Sequence, residues 1–382
     1  MKTAIWLYLF LFVAFFDLHA QYPILTPFAL SLGAAPSFIG LMMGLYSITH
    51  LPGNLIAGYS VDCFGSRLFI VFSLLLAGVI LLLQSQVTNP WQLLVLRSVS
   101  GFVLAFLSPA CMAMLAKMAK NQLEQGKLMA GNGVVHNLAS VVSPAAGAFL
   151  VAQIGFTQAF YLLGWILIVV SLCALLFLRN DADAAAGSAA DTDNTGEPEH
   201  QSSVPWLIYT LPVAMACAQG ILSFELPLMA FKSDALMTTG LLFSLVSLGS
   251  LITLSMFFLN RYSPYYRSIG GAIVLALTYF FMAAHDELPL SVMLLMLGMA
   301  KGIIFPALSS LLIELSGGKR YGRTFSILSI AFSIGAFAGP LLAGQLRELV
   351  SPYFIAFLVL MAAIMILPFH RNQAASARTH FT

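Results

Sequence analysis

Long apolar runs alternate with short polar stretches along the whole chain, and the spacing of this alternation predicts its secondary structure. Charged and turn-forming residues divide the sequence into twelve apolar segments. Each segment approaches the ~20 residues with which a helix crosses a bilayer. The pattern predicts an all-α membrane protein whose twelve transmembrane helices span residues 5–31, 37–61, 68–87, 91–116, 128–153, 158–178, 205–231, 238–259, 268–285, 290–315, 324–347 and 353–369.

The composition agrees with this interpretation and excludes a soluble protein. Apolar residues make up 60% of the 382 positions and charged residues only 8%, whereas a soluble domain carries about 25% charged residues. The four cysteines show no paired spacing, which argues against a disulfide framework and a zinc site. No nucleotide-binding loop of the Gly-x-x-x-x-Gly-Lys-(Ser/Thr) kind occurs. We expect no enzymatic activity, no cofactor and no nucleic-acid partner.

The basic residues outside the predicted spans indicate an orientation. All except Lys232 and Arg347 fall in or beside the even-numbered loops and at the two termini. Lys and Arg accumulate on the cytoplasmic side of membrane proteins. We therefore expect a multi-pass protein of the inner (plasma) membrane with both termini in the cytoplasm. The basic residues on that side are Lys2, Arg67, Lys117, Lys120, Lys127, Arg179, Arg261, Arg267, Lys319, Arg320, Arg323, Arg371 and Arg378.

The chain consists of two similar halves joined by a polar segment. Residues 25–41 align without a gap on residues 225–241, and Ser108-Pro109-Ala110 recurs as Phe305-Pro306-Ala307. Residues 179–204 contain six acids and almost nothing to bury, which is typical of a disordered linker. We expect an N-terminal six-helix bundle over 1–178, a cytoplasmic linker over 179–204, a C-terminal six-helix bundle over 205–369 and a tail over 370–382. Parallel repeats of this kind are related by an axis along the membrane normal.

Polar side chains at helical spacing distinguish eight spans from the other four. Spans 3, 6, 9 and 12 are nearly free of polar residues between their ends, which predicts that they face lipid. The other spans carry polar stripes that predict a central cavity, although the small residues in them also allow helices to approach closely. The candidate cavity residues are Gln21, Tyr46, His50, Asn54, His136, Gln219, Glu225 and Lys301.

Asp17 on span 1 and Arg97 on span 4 are charged residues inside the membrane. Burial of a lone carboxyl favours its uncharged form, so Asp17 is expected to be neutral or paired. We interpret Asp17 as a proton-exchanging group and Arg97 as its electrostatic partner. A fixed ion pair that holds two helices together is the alternative.

Other ionisable residues in the spans allow several interpretations. Glu225 is a candidate for binding a cation or a second proton, or for reaching water at the membrane edge. Lys301 has three possible partners, namely an anionic substrate group, Glu225 and Asp17. A metal substrate is a further possibility because of three histidines, but His19 is two residues from Asp17 and points to the opposite helix face. His50 and His136 then remain as cavity or proton-relay residues.

The turn between the second and third spans carries the sequence's best-defined motif. Gly58, Asp62, Gly65 and Arg67 match Gly-x-x-x-Asp-(Arg/Lys)-x-Gly-(Arg/Lys)-(Arg/Lys), with Cys63 and Ser66 at two of the basic positions. This loop resembles the signature loop of the major facilitator superfamily, which implies a gating role for these four residues. The resemblance also implies two pseudo-symmetric six-helix bundles, in which every third helix faces lipid.

Further motifs resemble the twelve-helix drug:proton antiporter branch of that superfamily. The motif Arg97-x-x-x-Gly101-x-x-x-Ala105 is similar to the fourth-helix motif of proton-coupled members. The presence of an acid, Asp17, in span 1 resembles the first helix of tetracycline-type antiporters. The stretch 139–148 resembles the antiporter motif of the fifth helix, and 335–344 fits the same spacing on the eleventh. The helix-bend positions of these two stretches are Pro144, Gly147, Gly339 and Pro340.

These resemblances imply a secondary transporter that exports a small amphipathic organic compound in exchange for protons. Its expected partners are the small-molecule substrate, protons and the lipid bilayer, and we expect a monomer. An importer or uniporter, an exporter of an anionic metabolite or siderophore, and a membrane receptor that does not transport are the alternatives.

Overall fold

The computed structural model describes residues 2–118, 122–178, 205–231, 236–284, 288–315 and 321–367. The regular structure in these ranges is helical. The predicted linker over 179–204, the predicted tail over 370–382 and the last residues of the predicted C-terminal bundle lie outside the described residues.

The described residues form twelve α-helices and two short 3₁₀ turns. The helices are α1 Lys2–Ser31, α2 Pro36–Phe64, α3 Ser66–Gln84, α4 Pro90–Leu104, α5 Leu107–Met118, α6 Gln122–Phe177, α7 Thr210–Phe231, α8 Leu236–Ser255, α9 Pro264–Ala284, α10 Leu290–Leu315, α11 Tyr321–Leu346 and α12 Pro352–Ile366. The 3₁₀ turns are Trp206–Tyr209 and Phe257–Arg261.

These helices are consistent with the twelve predicted crossings of a membrane. Nine stretches of the described residues are long and apolar enough to cross, and the stretch in α6 covers 47 residues, enough for two crossings. The more polar α2 and the shorter α12 are the remaining candidates for a crossing. The first part of α6 is span 5 and the second part is span 6, while α4 and α5 together form span 4; the other spans share the number of their helix.

Span 4 was predicted as one helix over 91–116, but the structure divides it at Ala105 and Phe106. Pro109 explains the break, because a proline ring clashes with the carbonyl four residues earlier and lacks an N–H to bond it. That carbonyl belongs to Ala105. The helix resumes when Ala110 N–H donates to the Phe106 carbonyl at 3.1 Å.

Single glycines make two of the sharpest turns. Gly155 separates spans 5 and 6 with φ 81°, and Gly65 separates α2 from α3 with φ 88°. Positive φ is costly for residues with a Cβ, so glycine is the favoured residue at both turns. The observed connection between spans 5 and 6 is therefore shorter than the one that the apolar pattern predicted.

The helices pack in the same pairs within each half of the chain. Span 5 lies along α1 as α11 lies along α7, and α2 packs on the span-4 helices as α8 packs on α10. Span 6 packs on α3, and α12 packs on α9. The described residues thus form two pseudo-symmetric bundles, which confirms the predicted fold class.

The helices predicted to face lipid expose apolar side chains on one face. Leu76 and Val79 of α3, Trp165 of span 6 and Phe280 of α9 are each more than one-third exposed. Contacts between the bundles instead involve α1, α2, α6, α7, α8 and α11. The peripheral helices are therefore free to contact lipid, while polar spans face the other bundle.

The two bundles meet closely at one end of the molecule, where α2 and α8 begin. Gly40 of α2 lies against the backbone of Pro340 and Gly344 on α11. Gly240 of α8 lies against Pro144 and Ala148 of span 5 in the symmetry-related contact. Because these glycines have no side chain, the helix backbones approach directly and close this end.

The opposite half of the molecule, where α1 begins and α12 ends, is more open. Leu55 and Ile56 of α2 are about half exposed, as is Leu138 of span 5. If both termini lie in the cytoplasm, as the basic residues predict, the more open half faces the cytoplasm.

Substitution of Gly40 tests the closed end. We expect Gly40→Val to separate the outer ends of α2 and α11, because the new side chain would overlap the Pro340 carbonyl. Overpacking of this kind costs about 1–3 kcal/mol, enough to move a two-state equilibrium at least several-fold. Spin labels at the exposed positions Thr88 and Leu349 would report a longer distance between the bundles by pulsed electron resonance, after the native cysteines are replaced.

Gly270→Val is the matched control, because a Cβ at Gly270 on α9 meets no atom within 4 Å. The control should leave the distance distribution unchanged. An unchanged distribution in Gly40→Val would show that the glycine contact does not hold the outer end closed.

Candidate functional site

Asp17 is the buried centre of a hydrogen-bonded network on α1. Asp17 is only 2% exposed, and its Oδ1 accepts a hydrogen bond of 2.8 Å from Nε2 of Gln21. Gln21 lies one helical turn further on, so the two side chains share a helix face. The carboxyl group is thus inside the protein and does not face lipid.

Arg97 of α4 joins this network through the glutamine. Its Nη1 donates to Oε1 of Gln21 at 2.5 Å, and among the described residues no carboxylate oxygen lies within 4.0 Å of the guanidinium. A carboxylate only accepts and a guanidinium only donates, which fixes the orientation of the amide between them. Asp17 and Arg97 are therefore coupled through one neutral side chain and do not form a direct ion pair.

Tyr46 of α2 completes the network from below the guanidinium. The Cζ atom of Arg97 lies 4.4 Å from the centre of the Tyr46 ring, a geometry in which the aromatic face attracts a cation. Gly101, one turn from Arg97, lies against the backbone of Tyr46 and Oγ1 of Thr49. This close packing of α4 on α2 places the guanidinium over the ring.

The opposite face of α1 carries a second polar group. His19 Nδ1 lies 2.7 Å from the Phe15 carbonyl oxygen, so this nitrogen carries the proton and donates it. The His19 ring centre is 5.3 Å from that of His136 on span 5, and Phe15 packs on His136 at 4.6 Å. His136 is itself exposed, beside the space between the bundles.

Lys301 of α10 approaches this histidine pair from the other bundle. Its Nζ donates to Oε1 of Gln219 on α7 at 2.5 Å, and the amide nitrogen of Gln219 lies 3.3 Å from Oγ of Ser223. The ammonium is close enough to interact electrostatically with both His19 and His136. Each bundle therefore has a cation on its fourth span that is bonded to a glutamine on its first.

Two further candidate residues form a pair on α2. The His50 Nδ1 and Asn54 Nδ2 atoms lie 2.9 Å apart, one helical turn from each other. Both side chains are partly exposed. They contribute polar surface to the open half of the molecule and do not join the Asp17 network.

Glu225 lies apart from these groups, at the far end of α7. Its Oε1 accepts a hydrogen bond from Arg347 Nη2 at 3.1 Å, and the two side chains are 7% and 24% exposed. Of the three partners considered for Lys301, neither Glu225 nor Asp17 bonds to it. The Glu225–Arg347 pair links α7 to the end of α11 within one bundle.

The candidate gating residues lie at the junction of α2 and α3. Gly58 and Asp62 fall on the last turns of α2, and the side chain of Asp62 lies outside the described ones. Arg67, near the start of α3, donates from Nη2 to the Leu175 carbonyl at 2.5 Å, close to the end of α6. A guanidinium satisfies there one of the carbonyls that a helix end leaves without an intrahelical partner.

The candidate helix-bend residues line the contacts between helices. Gly147 lies against Ala20 of α1, and Gly339 lies against the backbone of Cys217 on α7. Pro144 and Pro340 are both inside their helices and both lie at contacts between the bundles. The two halves thus place corresponding motifs at corresponding packing positions.

The sequence interpretation did not identify several contacts of the site. It considered His19 only as a metal ligand and omitted Tyr22, whose ring centre is 6.0 Å from that of Phe243 on α8. His19 and Tyr22 are three residues apart and so share a face, a signal that was available. Among the described residues no group of three His, Cys, Asp or Glu side chains could hold a metal ion.

Two relatives match most of the length of this chain. The quinolone resistance protein NorA of Staphylococcus aureus (strain COL) is 20% identical over 387 residues and covers 97% of each chain. A multi-drug resistance efflux pump PmrA homolog of Lactococcus lactis subsp. lactis (strain IL1403) is 23% identical over 349 residues, covering 86% of this chain and 84% of the relative.

A solved structure shows the same fold. It is that of a bacterial homolog of the human lysosomal transporter Spinster in an inward-facing and occupied conformation. It superimposes with a TM-score of 0.76 at 14% identity, covering 96% of this chain and 94% of the other.

The family model of the Major Facilitator Superfamily matches residues 7–297, about three-quarters of the chain. The helical fold, the paired bundles and the loop around Gly65 agree with that match. This chain is a membrane transporter that belongs to the Major Facilitator Superfamily.

Proposed function

We propose that this protein exports small amphipathic organic compounds in exchange for protons, by alternating access between two bundles. The observation that carries the proposal is the buried Asp17 carboxyl, joined through Gln21 to Arg97. A buried carboxylate is costly unless it is paired, and protonation removes that cost. The network therefore offers two states that differ by one proton.

The position of α1 links this proton to the substrate path. The helix presents Asp17 to its own bundle and His19 to the space beside span 5, and it also contacts α7 and α8 of the other bundle. A change in the charge of Asp17 alters the hydrogen bonds that connect α1, through Gln21, to Arg97 of α4. The same helix then transmits the change to the substrate side and to the second bundle.

The direction of transport is proposed from the relatives. NorA is named for quinolone resistance and the PmrA homolog for multidrug efflux. Each proton that crosses ~100 mV contributes about 2.3 kcal/mol from the membrane potential. That free energy corresponds to about a forty-fold gradient of a substrate exchanged for one proton.

Asp17→Asn tests the proton coupling, because asparagine keeps the shape of the side chain but cannot exchange a proton. In proteoliposomes with an imposed pH gradient we expect uphill substrate transport to fall by at least about tenfold, the scale of one lost coupling step. Substrate exchange without a gradient should persist. Purified protein should also lose its substrate-induced proton release.

Glu348→Gln is the matched control, since it makes the same chemical change at an exposed residue outside the network. It should transport like the parent protein. Undiminished uphill transport by Asp17→Asn would assign the proton to another group, and loss of substrate exchange as well would indicate a damaged binding site.

Gln21→Leu tests whether the amide connects the two charges. We expect the variant to lose thermal stability, because leucine removes two hydrogen bonds to charged groups, each worth about 1.5–3 kcal/mol. In the Asp17→Asn background the same substitution should cost less, since one of those charges is already absent. The four proteins are the parent, the two single variants and the double variant. Their thermal unfolding in detergent gives the coupling energy between Gln21 and Asp17.

Gln345→Leu, at an exposed position on α11, controls for the change in side-chain type. Equal effects of Gln21→Leu in both backgrounds would show that Gln21 and Asp17 act independently.

A further inference from the structure

We infer that the central site selects amphipathic anions, with Lys301 as the group that binds the negative charge and an aromatic wall for the rest of the molecule. This inference rests on the proposed function and specifies its substrate class. It follows from the hydrogen bonding of Lys301, from the residues that face it and from the charges available nearby.

Lys301 has unused capacity to donate hydrogen bonds. An ammonium has three N–H donors, and in the described residues its hydrogen-bond partner is the neutral Oε1 atom of Gln219. No carboxylate oxygen of those residues lies within 4.0 Å of Nζ. A charged group in the membrane interior normally pairs with an opposite charge or faces a water-filled cavity.

The acids that could neutralise Lys301 are engaged elsewhere. Asp17, near the middle of span 1, and Glu225, near the outer end of α7, are the two acids that the sequence offers as partners of Lys301. Asp17 bonds to Gln21 on the far face of α1, and Glu225 bonds to Arg347. Neither acid therefore neutralises the Lys301 ammonium, and a bound anion would supply the missing opposite charge.

Side chains near Lys301 can also donate to an anion. His19 and His136 lie in electrostatic range of the ammonium from the opposite bundle. The Phe15 carbonyl occupies the Nδ1 proton of His19, whereas His136 is exposed and makes ring contacts with Phe15 and His19. An imidazole N–H of His136 and the Lys301 ammonium would bind one carboxylate or sulfonate from two sides.

An aromatic surface adjoins these donors. Tyr22 follows His19 on the same face of α1 and pairs with Phe243 of α8 across the two bundles, and His19 packs edge-on against Tyr22 at 5.5 Å. Phe243 is buried whereas Tyr22 is partly exposed, so the flat ring of a ligand would stack on Tyr22. The ligand that suits the site is therefore an anion with a planar aromatic body.

Fluorescein and rhodamine 123 form a matched pair of probes, because they share a xanthene ring system and differ in the sign of their charge at neutral pH. We expect the purified full-length protein in lipid nanodiscs to bind fluorescein more tightly than rhodamine 123, as measured by fluorescence anisotropy. Lys301→Met should weaken fluorescein binding by about tenfold or more, the equivalent of one charge-assisted hydrogen bond. Rhodamine 123 binding should stay the same or improve.

Two variants separate charge from shape. Lys301→Arg keeps the charge and should keep the preference for fluorescein, while Lys117→Met makes the methionine substitution at an exposed lysine of α5 and should change neither affinity. His136→Glu places a negative charge at an exposed position beside the lysine, and should shift the preference toward rhodamine 123. This last variant tests the inference even if Lys301→Met fails to fold.

A preference for rhodamine 123 in the parent protein, or equal fluorescein affinity in the parent and in folded Lys301→Met, would overturn the inference and leave Lys301 a structural residue only. Neither result would affect the proton coupling of Asp17. Conversely, undiminished uphill transport by Asp17→Asn would refute that coupling without changing the dye preference.

Discussion

The absence of water from the hydrocarbon core is the constraint on which this structure depends. Every polar group placed there must find its partner inside the protein. The backbone meets this requirement by forming helices, and the ionisable side chains meet it through amides. Gln21 and Gln219 each accept a hydrogen bond from a cation on the fourth span of their own bundle. A neutral amide can hold a charge without neutralising it, so both cations remain responsive to a proton or a ligand.

The close contacts between helices decide where these side chains meet. Gly101 brings α4 onto α2 and so places Arg97 over Tyr46, while Gly40 and Gly240 bring the two bundles together at one end. The contacts that Gly40 and Gly240 make between the bundles are close approaches to the backbone of the facing helix. They can separate without exposing large polar groups, which suits an interface that opens in every transport cycle.

Much of this arrangement could be predicted from the sequence. The period of the apolar runs gives the helices, and the aligned residues 25–41 and 225–241 indicate the two halves. The shared face of Asp17 and Gln21 follows from their spacing of four residues. The contact of Gln21 with Arg97 could not be predicted, because it depends on the rotation of α4 that Gly101 permits. The contact of His19 with His136 likewise depends on the packing of span 5 on α1. The break at Ala105 was also missed, since membrane helices often tolerate proline, and Pro306 lies inside an unbroken α10.

The single-residue turn at Gly155 has a consequence for how fast the bundles can change their relative orientation. Span 5 carries His136 and contacts the other bundle, whereas span 6 presents Trp165 and other apolar side chains at the periphery. Because only Gly155 separates them, a tilt of span 5 would also move span 6 through the surrounding acyl chains. We therefore expect the transport rate to depend on the fluidity and thickness of the bilayer.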